Sequence, residues 1–284
     1  VTLGSLKLTG VGTHLKFYIE RGGAYYDVTP LRATVSLSNP FQTVSGSTTV
    51  TVTDANGGYT DGDFVTFSSA SAVGGLTLNG EFQITYNTGN TYTITSSEAA
   101  SSSATGGGTV SAAYQINVGP ETEVPLEGWG AGGWGEGFWG IGATGTDALR
   151  LWSQGNFGED LIFGARGGSL FLWDASESDA LNVRATLLSA ESGASGVPTV
   201  QNFILISDIN RFVFCFGANP VGSSTQDPML VRWSDQEDAT NWTPAATNQA
   251  GDLRFSRGSE IIAALQTKQE ILIWTDNSLY SMQY

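Results

Sequence analysis

The chain of 284 residues carries 27 acidic and 12 basic residues, a formal net charge of -15, and is long enough for one large β domain or two smaller ones. That balance excludes tight, sequence-independent nucleic-acid binding, which depends on Lys and Arg neutralising phosphates. His14 and Cys215 are the only residues of their kinds, which excludes a His/Cys metal cluster and an internal disulfide.

The 37 glycines are nearly twice the usual ~7%. Charged residues, at 14%, fall well below the usual ~25%. With abundant Ser and Thr and no long run of Glu, Lys, Leu and Ala, this is the profile of an all-β protein with many turns.

In chain order, the first clear element is a hairpin in THLKFYIERGGAYYDVTP (13–30), turning at Arg21-Gly22-Gly23. Residues 42–115 differ from the rest: they lack Trp and are dense in Thr, Ser and Gly. Alternation there predicts half-buried strands. Val50 and Val52 share one face, as do Val65 and Phe67. Phe82, Ile84 and Tyr86 are expected to pair across Thr88-Gly89 with Tyr92 and Ile94, and Val110, Ala112, Tyr114, Ile116 and Val118 to line a further strand. SSEAASSSATGGG (96–108) reads as a flexible loop. The expected organisation is a small β-barrel or sandwich, 42–115, inserted into a larger discontinuous domain, 1–41 and 116–284.

EGWGAGGWGEGFWGIG (127–142) sets Trp129, Trp134 and Trp139 five residues apart among glycines. Glycine permits tight backbone paths, and each Trp offers about 150–250 Å² to bury. The three tryptophans are therefore read as anchors for packing or subunit assembly. Further hairpins follow in 160–176, turning at Arg166-Gly167-Gly168, in 202–217, turning at 208–210, and in 260–284, turning at 267–269 and again at Asp276-Asn277. Cys215, in the apolar run FVFCF, reads as a small buried hydrophobe. Trp173, Trp233 and Trp274, each followed closely by Asp, stand 60 and 41 residues apart. Spaced hairpins with such echoes fit the blades of a β-propeller, and a β-sandwich would also give spaced hairpins.

WSDQEDATNWTP (233–244) is the most conspicuous polar motif. It resembles the Asp-box turn of sialidase-type propellers. Ser234, Asp235, Glu237, Asp238 and Trp242 are read first as a structural turn, because Asp and Asn hold turns with their own side chains. The clustered carboxylates leave Ca²⁺ as an alternative. No Gly-x-Ser-x-Gly elbow, phosphate-binding loop or apolar run long enough to cross a membrane is present. No catalytic residue and no cofactor are expected. The start without Met and the stop within a strand-like run read as cuts from a longer polypeptide.

VGTHLKFYIERGGAYYDVTPLR, GWGAGGWGEGFWG, LIFGARGGSLFLWD, VRWSDQEDATNWTP and GSEIIAALQTKQEILIWTDNSLYSMQY occur in this order. The set resembles the tail hub or nozzle proteins of short-tailed bacteriophages, the group that includes packaged-DNA stabilisation proteins. The resemblance covers 11–41 and 115–284. It implies a structural, non-catalytic virion protein with a β-propeller. The expected assembly is a homo-oligomeric ring, commonly hexameric, below the portal and adaptor, which closes the DNA channel and passes DNA at ejection without binding it tightly. Virion localisation and contacts with other tail proteins follow from the same resemblance. A glycan-binding or glycan-hydrolysing propeller is the alternative, since exposed Trp and Tyr beside Asn and Asp stack on sugars.

Overall fold

The computed structural model describes residues 8–55, 58–121, 149–207 and 210–283; Trp129, Trp134 and Trp139 lie outside them. The described residues form antiparallel sheets, with two single-turn 3-10 helices at Ala180–Asn182 and Leu188–Ala190. The chain divides into two compact units. One comprises Val1–Val28 and Gly119–Tyr284, the other Thr29–Val118.

The larger unit opens with a three-stranded meander of β1 (Thr9–Gly12), β2 (Phe17–Arg21) and β3 (Ala24–Asp27). The β2–β3 turn falls on Gly22 and Gly23, whose φ values of 60° and 89° suit glycine.

The smaller unit is a two-sheet sandwich built from β4 (Leu31–Ser38), β5 (Phe41–Thr43), β6 (Thr49–Thr53), β7 (Phe64–Ser68), β8 (Gly80–Gln83), β9 (Thr85–Thr88), β10 (Thr91–Thr95), β11 (Ala104–Gly106) and β12 (Thr109–Gln115). One sheet has the order β11-β5-β6-β10-β9, the other β4-β12-β7-β8. Their inner faces bury Phe41, Val50, Val52, Val65, Phe67, Tyr92, Ile94, Val110 and Ala112. The unit starts before residue 42, the boundary expected from composition. β4 already belongs to it, paired along β12 from Ser38↔Thr109 to Leu31↔Gln115.

Three local expectations are corrected. Residues 82–86, read as one strand, are split: β8 pairs with β7 in one sheet and β9 with β10 in the other. Ile84 makes the crossing, its N–H bonded to Asp63 O at 2.7 Å and its carbonyl accepting from Gly62 N at 2.8 Å. Segment 96–108 is structured: it contains β11 and the buried Ala100, whose N–H reaches Ser47 O at 2.9 Å. β12 also stops at Gln115, after a register shift, so Ile116 and Val118 lie beyond the strand.

The chain then returns to the larger unit. A second meander comprises β13 (Trp152–Phe157), β14 (Asp160–Ala165), β15 (Leu170–Trp173) and β16 (Thr186–Leu187). The third comprises β17 (Phe203–Ile206), β18 (Val213–Phe216), β19 (Leu230–Trp233) and β20 (Gly251–Arg254). The fourth comprises β21 (Ile261–Gln266), β22 (Glu270–Thr275) and β23 (Leu279–Gln283).

These four up-and-down meanders behave as consecutive blades. Their first strands lie side by side. Gln154 Nε2 on β13 donates to Gly10 O on β1 at 3.1 Å, Ile204 N on β17 to Ser153 Oγ on β13 at 3.0 Å, and Gln266 Nε2 on β21 to Ser207 Oγ just after β17 at 3.3 Å. Alternate residues of each strand face opposite neighbours. Phe17 of blade 1 stacks on Phe163 of blade 2, with centroids 4.0 Å apart. Ile162 and Leu170 of blade 2 pack with Ile204, Val213 and Cys215 of blade 3. Phe214, Phe216 and Val231 of blade 3 pack with Ile271 and Ile273 of blade 4. The chain is all-β, with a β-propeller-like unit. Close approach between blades explains one glycine: a Cβ on Gly12 would lie 2.3 Å from Trp152.

The Trp–Asp echoes do not mark equivalent positions. Trp173 and Trp233 end the third strands of their blades, whereas Trp274 lies on the second strand of blade 4.

Candidate functional site

The motif at 233–244 follows β19 of blade 3. Ser234 is fully buried; its Oγ accepts from Val213 N at 3.1 Å and donates to Asp235 O at 2.9 Å. Asp235 Oδ1 accepts from Gln236 N and Gln249 N, both at 2.8 Å, and so pins the turn to the segment before β20. Asp238 Oδ1 accepts from Thr240 N at 2.8 Å and Thr240 Oγ1 at 2.6 Å. Glu237 stands between them with φ of 57°, and its N–H reaches Arg211 O at 3.0 Å. A positive φ at a non-glycine residue is tolerated where hydrogen bonds on both sides hold it.

Trp242 is fully buried, its indole N–H donating to Ala239 O at 2.7 Å and its own N–H to Ser195 O at 2.8 Å. Beneath it lies Arg232, which the sequence did not single out. This fully buried guanidinium donates to Asn219 O at 3.1 Å, to Trp242 O at 3.2 Å and to Gly196 O. Burial pulls the Arg232 pKa down and pushes the neighbouring Cys215 thiol up. The one available signal was a charge within the apolar run Leu230-Val231-Arg232-Trp233.

The Ca²⁺ alternative finds no support in this geometry. The Oδ1 atoms of Asp235 and Asp238 already serve turn N–H and hydroxyl donors. Among the described residues, no group of three or more His, Cys, Asp or Glu could hold a metal ion.

Asp carboxylates also hold Ser residues in loops of blades 2 and 4. Asp174 Oδ1 accepts from Ser176 N at 2.7 Å and Ser176 Oγ at 2.6 Å, and the Ser176 bonds hold its carboxyl below the ordinary range. Asp276 accepts from Ser259 N at 2.8 Å and Ser259 Oγ at 2.7 Å, with the same effect on its carboxyl. The polar pattern therefore follows blade architecture. Separately, a cleft of about 190 Å³ opens between the turn ends of blades 3 and 4, lined by Ser207 and Asn210 on one side and by residues 266–271, Ile271 included, on the other. Among the described residues, no helix is long and apolar enough to cross a membrane.

No family model matches the chain, and no curated protein does. Among solved structures, the chain is similar to the phage phi92 endosialidase at 14% identity and a TM-score of 0.29, over 94% of this chain and 41% of that one. The chain thus spans about two fifths of that protein's length, and a likeness at this TM-score carries no argument about site or activity.

Proposed function

We propose that the chain is a structural component of a bacteriophage tail. In this reading it contributes to a nozzle or hub ring below the portal and adaptor, closes the DNA channel, and lets DNA pass at ejection. The supporting observation is the arrangement of its recurring motifs. The runs around residues 13–30, 160–176, 202–244 and 260–283 form four consecutive blades, with the smaller unit entered after blade 1 and left before blade 2. An ordered set of degenerate blades that build a wall suits a scaffold. The net charge of -15 suits a surface past which phosphate must slide. In this reading the protein is a ring-forming virion protein without catalysis, commonly six copies to the ring by the resemblance.

Two measurements test it. Antibodies against the chain should decorate the tail of intact particles, and a reconstruction of the tail should place its density in a ring around the channel. Labelling confined to tail fibres or to the capsid would overturn the reading.

The cleft between blades 3 and 4 favours a second reading, glycan binding. Its side-chain amides, from Asn210, Gln266 and Gln269, are groups that pair with sugar hydroxyls, with Gln266 also tied to Ser207 Oγ. Binding on a glycan panel that Gln266→Ala and Gln269→Ala abolish would support it, and a blank panel would remove it.

A further inference from the structure

The smaller unit has few side chains that can give up an electron. Residues 29–118 contain no Trp, Cys, Met or His, and their tyrosines are Tyr59, Tyr86, Tyr92 and Tyr114. Thiols and thioethers are the side chains that oxidants ordinarily attack first. In their absence the phenols are the most readily oxidised groups of the unit. Tyr59, Tyr92 and Tyr114 gather in its core. The ring centroid of Tyr59 lies 4.5 Å from that of Tyr92 and 6.2 Å from that of Tyr114, and Tyr92 lies 6.2 Å from Tyr114. Tyr92 stands on β10 and Tyr114 on β12, which belong to different sheets, so their hydroxyls meet across the sandwich.

One of the three carries its own base. Tyr114 Oη donates to Oδ2 of the buried Asp54 at 2.7 Å. A phenol has one proton, so Tyr92 is the donor of the 2.8 Å bond between the two hydroxyls. Asp54 follows β6 directly and is held by its N–H, which reaches Asn90 O at 2.8 Å. A phenol that loses an electron becomes a strong acid. The electron therefore leaves easily only where a base stands within hydrogen-bond reach of the proton. The Arg32 guanidinium lies 5.1 Å from the centre of the Tyr114 ring and opposes positive charge there, which favours loss of electron and proton together. Burial, first, holds the Tyr114 pKa far above its ordinary value, so the phenol keeps its proton until the electron departs.

We propose that Tyr114 is a reversible one-electron redox site, which a radical or high-valent metal oxidant converts to a neutral tyrosyl radical while Asp54 takes the proton. The oxidant gains one electron from the ring. The Tyr114 O–H bond breaks and an O–H bond forms on Asp54 Oδ2, so the pair passes from one negative charge to none. A thiol or ascorbate-type reductant supplies the electron for the return, and the proton moves back to Tyr114. The Tyr92 hydroxyl donates to the Tyr114 oxygen and so supports the radical. Burial keeps the ring away from a second radical, which blocks the coupling that consumes exposed tyrosyls and leaves the oxidising equivalent recoverable. This inference stands apart from the tail reading, which concerns where the protein sits in the particle.

Flash photolysis of the full chain with a ruthenium tris-bipyridine complex and persulfate tests it. The flash makes a ruthenium(III) oxidant, and electron paramagnetic resonance reads the product. The expected result is a tyrosyl signal that outlives the flash. It should form more slowly in heavy water, because the proton moves with the electron, and ascorbate should erase it without changing the mass of the chain. Tyr114→Phe should lose the signal, Asp54→Asn should lose most of it, and Tyr86→Phe should keep it. Tryptophans of the larger unit give a separate, tryptophanyl signal, which serves as an internal reference. A wild type that yields tryptophanyl radicals alone overturns the proposal. So does a tyrosyl signal that survives Tyr114→Phe. Equal rates of formation in ordinary and heavy water would overturn it too, and that comparison needs no variant to fold.

Discussion

Arg232 donates a hydrogen bond to the carbonyl of Trp242 at 3.2 Å, so a buried cation and a buried indole brace the same turn of blade 3. The guanidinium also ties in the carbonyls of Asn219 and Gly196, joining three loops that the chain visits far apart. Arg232→Ala removes these donors and leaves buried carbonyls unpaired, a loss of about 3 kcal/mol or more. Arg232→Lys should recover only part of it, since an ammonium lacks the planar fork. Urea unfolding of the three proteins would read this order directly, and an Ala variant as stable as wild type would contradict it.

Trp242 plugs the core shared with Ile204, Val213 and Leu188. Trp242→Ala should cost about 3–5 kcal/mol, whereas Asp238→Ala, which removes only an exposed turn acceptor, should cost about 1 kcal/mol. Midpoints of thermal unfolding for both variants decide it; a larger loss for Asp238 would mean that the turn carries more than local shape.

Much of this was legible in the sequence, and what was not has physical causes. Hairpins at Gly22-Gly23 and Gly167-Gly168 announced themselves through turn residues between β-branched and aromatic runs. Alternation at Val50/Val52 and Val65/Phe67 gave the inner faces of the sandwich. The crossing at Ile84 was hidden because alternation continues unbroken through Phe82, Ile84 and Tyr86, and only pairing partners reveal that two sheets share the run. Compositional bias mistook 96–108 for a linker, since small residues also pack tightly against a strand. Trp274 broke the apparent repeat because a Trp–Asp pair marks a strand end, not a particular strand. Arg232 escaped notice because its partners are main-chain carbonyls, which leave no mark in a sequence.

In the smaller unit, Tyr114 donates to the buried Asp54 at 2.7 Å, and the Tyr92 hydroxyl lies 2.8 Å from that of Tyr114. Burial, first, and the neighbouring hydroxyl and carboxylate push the Tyr114 phenol well above its ordinary pKa, so it remains a donor across the working range. Tyr114→Phe should therefore cost about 1–3 kcal/mol, and Tyr92→Phe, which spares the bond to Asp54, should cost less. Equal losses in chemical denaturation would argue against the carboxylate as the group that matters.

Cys215 has no exposed surface, and burial raises its thiol pKa. A thiol reagent should leave it unmodified in the native protein at pH 8 and label it fully in denaturant. Labelling at equal rates in both states would refute the burial.

Asp160 shows the opposite sign to the turn carboxylates: burial, ahead of the nearby Asp174, raises its pKa. The folded chain then holds a proton that the unfolded chain has released. Its contribution favours folding below the unfolded pKa near 3.8 and is lost as pH rises through the higher folded value. Asp160→Asn should raise the melting temperature at pH 7 and leave it unchanged near pH 3. A variant less stable than wild type at pH 7 would show that the bond from Ala175 N to Asp160 outweighs the charge.

The smaller unit begins and ends on neighbouring strands: Ile116 N bonds to Pro30 O at 3.0 Å, where β4 starts and β12 has just finished. Its entry and exit thus lie within a hydrogen bond's reach, so the host sees little more than a short loop whatever the 90 residues between Thr29 and Val118 contain. Selection can exchange, enlarge or discard such a cassette with two recombination points, while the blades evolve at their own pace.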